Sequence, residues 1–330
     1  MKAFTKPLHC AAMVGLAWTA LGGFAQTASA QPYPSKPIRI VVSFLAGGSV
    51  DTMARTFAQK FTEAWGQQVV VDNRPGASGN IGADAVAKAA GDGYTLLITT
   101  TGHAVAPGLF RKLPFDPIKD FTPITQIIST YLVLTVNNEL PARSLKELVA
   151  MAKAQPGKLN YGHTGLGVSP HMTAEMLRFA TGVDIVAIPY KGDAGVLPAL
   201  LSNEIQFAFS APVTAFEHVR AGRIRAIAVT GLTRGAGFPG VYTTTEAGFP
   251  DVSYVGWVSF FAPGGTPRDI VNKIATETAR DLRMPDVSVR LPGWGGEAAG
   301  TSPEEFTAKY QSDIARYAKI IKDANVPLVD

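Results

Sequence analysis

Residues 41–55 read VVSFLAGGSVDTMAR: an apolar run, a double glycine, an acid three residues later, and then a helical pattern. The run belongs to IRIVVSF (38–44), rich in β-branched residues and therefore strand-like. Downstream, Met53, Phe57, Phe61 and Trp65 recur four apart, which sets them on one helical face, and Gly66 suits the C-terminal cap. A strand thus feeds a helix through glycines. In open α/β sheets ligands bind beyond the carboxyl ends of such strands. Glycines let the backbone bend sharply and let a ligand approach it, and the helix start presents free N–H groups and a positive dipole end. The turn reads as an anion seat, with a plain tight turn as the alternative. Asp51 reads as the helix N-cap. The spacing is not that of a dinucleotide fingerprint, and no lysine follows as in a P-loop.

The pattern continues on both sides of this turn. QVVVDN (68–73) and YTLLITTT (94–101) are strands, with a helix over NIGADAVAKAA between them. This βαβαβ alternation predicts an α/β fold with a mainly parallel sheet flanked by helices. A second series starts near residue 132: the strand YLVLTVN, a capping box at Ser144 and Glu147, the short strand LNYG, a helix opened by Ser169-Pro170 and ended by Gly182, and three further strands at DIVAIPY, IQFAFSA and IRAIAVTG. The chain returns through YVGWVSFFAP and ends in two long helices, Arg268–Arg283 and one after the capping box Ser302 to Glu305. The expected division is lobe 1 from 31–131 and 255–330, discontinuous in sequence, and lobe 2 from 132–254. FPGVYTTTEAGFPD (238–251) lacks periodicity and is expected to connect the lobes as a hinge.

NYGHTGLGVSPHMTAEM repeats the strand–glycine–helix device in the second lobe. Two such turns facing across a cleft suit a small ligand with carboxylates at its ends.

Residues 1–30 are set aside. Lys2 and Lys6 precede a mostly apolar, uncharged stretch from Leu8 to Phe24, and Ala28-Ser29-Ala30 has the small-x-small form of a signal-peptidase site. A cleavable secretory signal with cleavage before Gln31 is expected, with a membrane anchor as the competing reading. The only cysteine, Cys10, lies inside that segment and too early for a lipid anchor, so the mature chain has no disulfide, thiolate metal site or cysteine nucleophile. Its 28 Lys and Arg stand against 26 Asp and Glu, and no basic run suggests nucleic acid. About 300 residues are ample for a two-lobed core.

Long stretches of the chain resemble the substrate-binding receptors of tripartite tricarboxylate transporters, also called Bug (Bordetella uptake gene) receptors. They are YPSKPIRIVVSFLAGGSVDTMAR, QQVVVDNRPGASGNIGADAVAKAAGDGYTLL, KLPFDPIKDFTPI, PGKLNYGHTGLGVSPH, IPYKG, VRAGRIRAIAVT and EAGFPD. The resemblance implies a two-lobed periplasmic binding protein of the Venus flytrap, type II-like kind. It further implies a small carboxylate held in the interlobe cleft and delivery to large and small membrane components of a transporter. No cofactor, no metal and a monomeric state are expected. A co-receptor for a membrane sensor kinase and, as a rival class, a secreted hydrolase are the alternatives.

Carried over by position, Gly47, Gly48, Ser49 and Asp51 match the family's first-lobe loop, and His163, Thr164, Gly165, Gly167 and Val168 its second-lobe loop. Relatives usually have two prolines where this chain has Leu45-Ala46, serine at His163, serine or threonine at Val168, a small residue at Asp193 and often aspartate at Ser210. Neutral residues at Leu45, Ala46 and Val168 favour a more apolar or aromatic acid over citrate. His163 is a candidate ligand donor or pH-sensitive contact, a solvent-facing loop histidine being the alternative. His103, at the end of the third strand, is a candidate for the first-lobe wall. His171, one turn into its helix, reads as capping or packing. Asp193 is either a helix N-cap or a cleft residue that attracts an amino group. Lys191 reads as solvated. For an enzyme the signals are missing: Ser169 and His171 are two apart, no G-x-S-x-G elbow occurs, and His163 and His171 have no acidic partner between them.

Overall fold

The computed structural model describes residues 33–190, 193–235, 237–323 and 326–330, with backbone alone at 193 and 194. The expected leader and Lys191 lie outside the described residues.

The first sheet starts with β1 (Ile38–Val42), α1 (Ser49–Trp65), β2 (Val69–Asn73), α2 (Asn80–Ala87), β3 (Thr95–Thr100), α3 (Gly102–Leu109) and β4 (Phe121–Thr130). The second contains β5 (Val133–Asn137), α4 (Leu145–Ala154), β6 (Asn160–His163), α5 (Ser169–Thr181), β7 (Val186–Pro189), α6 (Asp193–Leu201), β8 (Phe207–Ser210), α7 (Pro212–Arg220) and β9 (Ile224–Val229). The chain then returns to the first sheet through β10 (Gly256–Pro263) and α8 (Arg268–Asp281). Two short helices, α9 (Pro285–Ser288) and α10 (Leu291–Trp294), precede β11 (Gly296–Ala298) and α11 (Pro303–Asp323).

The strand orders are β11-β4-β10-β3-β1-β2 and β7-β6-β8-β5-β9. Both sheets are mixed, which corrects the expectation of mainly parallel ones. β2, β1 and β3 run parallel, as do β7, β6 and β8. The strands that carry the chain between lobes run against their neighbours: β10 against β3 and β4, and β5 against β8 and β9.

α1 forms because its apolar stripe has somewhere to go. Met53, Phe57 and Phe61 are fully buried, and Phe57 and Phe61 both meet Phe260 of β10. Burying each such side chain contributes about 1.5–3 kcal/mol. Gly66 ends the helix at φ 66°, donating its N–H to Thr62 O. On the other side Trp257, Phe261, Phe306 and Tyr310 pack together, and the Trp257 indole N–H donates to Asp313 Oδ2 at 2.9 Å. The capping box at Ser302 is reciprocal: Glu305 N–H donates to Ser302 Oγ, and Ser302 N–H to Glu305 Oε2.

Only Tyr131 and Leu132 separate β4 from β5. Fully buried Thr230 ties this crossing to the returning chain. Its Oγ1 accepts from Leu132 N–H at 2.8 Å and donates to Tyr254 O at 2.8 Å, while its own N–H donates to Leu132 O. The stretch expected to be a free connection partly packs on β9, through Val229 N–H to Tyr242 O and Thr244 N–H to Val229 O.

Candidate functional site

The β1–α1 turn is built differently from the sequence expectation. The N-cap of α1 is Gly48, with no side-chain cap. Asp51 sits in the first helical turn and is 2% exposed. Its Oδ2 accepts from Gly47 N–H at 2.8 Å and from Arg55 Nε at 3.0 Å, and its Oδ1 accepts from Asn73 Nδ2 at 2.9 Å. Burial alone would raise its pKa, but the hydrogen bonds from Arg55, Gly47 and Asn73 outweigh it and hold the carboxyl below its ordinary value. Asp51 is therefore not the N-cap: its carboxylate fastens the loop from beneath. The backbone constraint also falls one residue earlier than the double glycine suggests. Gly47 has φ 85°, a left-handed conformation that favours glycine, whereas Gly48 is extended at φ −75°. Gly47, Gly48 and Ser49 are exposed, and the N–H groups of the first turn of α1 have no intrahelical acceptor.

The β6–α5 turn is held by two histidines. His163, 1% exposed, places Nδ1 2.9 Å from Gly165 O. His171, 3% exposed, accepts Gly167 N–H at Nδ1 over 3.3 Å. Their rings lie 4.7 Å apart. Burial pushes the pKa of His163 down; burial, and then the neighbouring His163, push His171 down to about 4. Both rings brace the turn from beneath. This corrects the alternative of a solvent-facing loop histidine.

His103 is corrected as well. It lies inside lobe 1 against Phe115, Phe121, Phe261 and Tyr310, and its Nε2 has no partner among the described residues. Burial holds its pKa down at about 3. Ser210 ends β8 with its hydroxyl 2.9 Å from that of Thr135. Thr164 is half-buried. Asp193 opens α6, and its side chain lies outside the described residues.

The lobes meet at Gly167. At φ 74° it presses so close to α3 that a Cβ there would overlap Leu109 Cδ2. Beside this contact is a recess of about 70 Å³. Phe44, Ser78, Thr100 and Gly102 line it from lobe 1, and Leu166, Gly167, Val168 and Ser169 from lobe 2. Of the expected site residues, Gly167 and Val168 reach this recess. Sequence reasoning missed Phe44, Ser78, Thr100, Gly102 and Ser169. One signal was available: RPGASGN (74–80) follows β2 at the same sheet end, and Ala77 and Ser78 adopt φ 46° and 56°, strain of the kind that gathers at ligand sites. Among the described residues no charged side chain lines the recess, whose polar groups are the hydroxyls of Ser78, Thr100 and Ser169 and the starts of α3 and α5. Its remaining walls, Phe44, Val105, Leu109 and Leu166 among them, are apolar. At about 70 Å³ the recess can seat one carboxylate group through dipoles and hydroxyls, with apolar walls beside it.

Residues 53–326 match the family model described as the tripartite tricarboxylate transporter family receptor. The chain is 33% identical to protein BugT of Bordetella pertussis over 96% of its own length and 98% of the relative's. Among solved structures, it is similar to Rpa4515 of R. palustris with adipate, with TM-score 0.78 and 36% identity over 90% of this chain and all of that one. MatC of Rhodopseudomonas palustris with bound malate gives TM-score 0.74 and 30% identity, covering 88% of this chain and all of that one.

Proposed function

This chain belongs to the tripartite tricarboxylate transporter receptor family, and from that premise we propose that it is a periplasmic receptor that captures a small carboxylate between its lobes and presents it to the two membrane components of a transporter. It performs no chemistry on the ligand. The observation that carries this reading is the uncharged recess where the strand–helix turns of the two sheets meet. A carboxylate there is met by helix-start N–H groups and hydroxyls, which bind anions without a fixed cation. The adipate and malate in the two solved relatives support the ligand class. The leader expected from the sequence of residues 1–30 supports the compartment. The apolar walls favour an acid with a hydrocarbon or aromatic body over a triacid such as citrate.

A thermal-shift and denaturation screen of aliphatic and aromatic mono- and diacids tests the proposal. A true ligand at a hundred times its Kd should add about 2.7 kcal/mol of stability. Shifts by sugars or neutral compounds alone would sink the carboxylate reading, and turnover of the acid above a contaminant control would sink the receptor reading.

The β1–α1 turn gives a sharper test. A Cβ at Gly48 would meet only Leu45 O at an ordinary 3.5 Å, and the backbone there is extended, so Gly48→Val should fold with a stability loss of at most about 1 kcal/mol. Gly48 lies outside the lining of the recess, and its side chain would stand at the start of α1, where the two-turn reading seats the ligand's second carboxylate. Affinity should fall at least about tenfold by calorimetric titration, equivalent to about 1.4 kcal/mol. Unchanged affinity in the folded variant would make the turn merely a turn.

A further inference from the structure

A second and much larger cavity, about 670 Å³, lies beside the lobe crossing and shares no lining residue with the recess. Tyr131 of the crossing, Val213 and Phe216 of α7, Phe238, and Leu291 and Pro292 of α10 form its apolar walls. Its volume is that of a small-molecule site, and too small for a docked helix. Among the described residues its charges are of one sign: Glu217 and Glu297 line it, and no Lys, Arg or His does. Glu217 is already bonded to Arg220 at 2.6 Å, but Glu297 has no ion pair among the described residues. The Tyr131 hydroxyl likewise makes no hydrogen bond among them, and burial, then Glu297, raise its pKa, so it remains a donor. An apolar chamber lined by a carboxylate with no ion pair among the described residues is complementary to an apolar body bearing a cation, and wrong for a carboxylate.

We propose that this chamber is a second ligand site, separate from the carboxylate recess, which takes a small amine with an aromatic or hydrocarbon body, its ammonium facing Glu297. Aromatic walls at Tyr131, Phe216 and Phe238 add attraction for the cation as well as for the ring.

The probe is phenethylamine, titrated calorimetrically into the mature protein, with phenylacetate as its counterpart of opposite charge. Saturable one-to-one binding with Kd below about 1 mM is expected. Val213→Trp fills the chamber and should weaken it at least about tenfold; Glu297→Gln keeps the shape and should weaken it at least about threefold. Gly48→Val should leave amine binding within about twofold, because Gly48 lies outside the chamber. No saturable phenethylamine binding to folded protein overturns the proposal. So does equal or tighter binding of phenylacetate by the same Val213-dependent site, or loss of amine binding in Gly48→Val with none in Glu297→Gln. The carboxylate screen on the same preparations separates the two readings: its failure with amine binding intact removes the receptor proposal and leaves this one, and the reverse removes only this one.

Discussion

Lowering the pH from about 8 to about 5 should remove about 4 kcal/mol of folding stability through two buried histidines, about 2 kcal/mol from each. His103 titrates near 3 and His171 near 4 in the folded protein, in both cases chiefly because burial penalises the charged ring. In the unfolded chain both take up a proton near 6.5. A folded pKa below the unfolded value means that the stability is fully present above about pH 6.5 and drains away as the pH falls toward the folded values. His163, also lowered by burial, adds to the loss in the same direction. The measurement is urea unfolding across this pH range. His103→Phe isolates one term: the ring sits in an aromatic shell and its Nε2 has no partner, so phenylalanine fits without losing a bond at that atom. The variant should lose about 2 kcal/mol less than the parent over the same interval. Parallel profiles for the two proteins would show that His103 is not held neutral.

Asp51→Ala should destabilise the protein by about 3 kcal/mol, well above the cost of a lost helix cap. The carboxylate gathers Gly47 N–H, Arg55 and Asn73, and it is 2% exposed. Hydrogen bonds to a charged group contribute about 1.5–3 kcal/mol each, and Arg55, half-exposed, recovers part of its loss in water. Asp51→Asn keeps one acceptor and the volume and should fall between parent and alanine variant. Because Gly47 N–H is held by this side chain, carboxylate affinity should drop in both variants, in the order of their stability losses. A stability loss below about 1 kcal/mol in Asp51→Ala would return the residue to the role of a plain cap.

These two cases mark where reading along the chain stops. The helices over 49–65, 145–154 and 303–323 were legible because a four-residue stripe, a capping residue and a terminal glycine are set by neighbours a few positions away. α3 was not. Its sequence, GHAVAPGL, carries a proline and no capping side chain, and it is helical because α11 and the β3 strand end hold it. Asp51 looked like a cap because sequence shows an acid at a helix start. What makes it a buried lock is Asn73, brought alongside by the pairing of β1 with β2.

The amino-acid sequence by itself determined the alternation of strands and helices, the two glycine turns, most caps and the family. All of these depend on periodicity and on residues close together in the chain. The tertiary structure alone decided that His103 and His163 lie in the interior instead of on a cleft wall. It also decided that β10 and β5 run against their neighbours, that Ser78 and Thr100 share a recess with Ser169, and that a chamber lined by Glu297 opens between α7 and α10. Burial, strand direction and cavities are set by which distant segments end up in contact, and no local pattern encodes that contact.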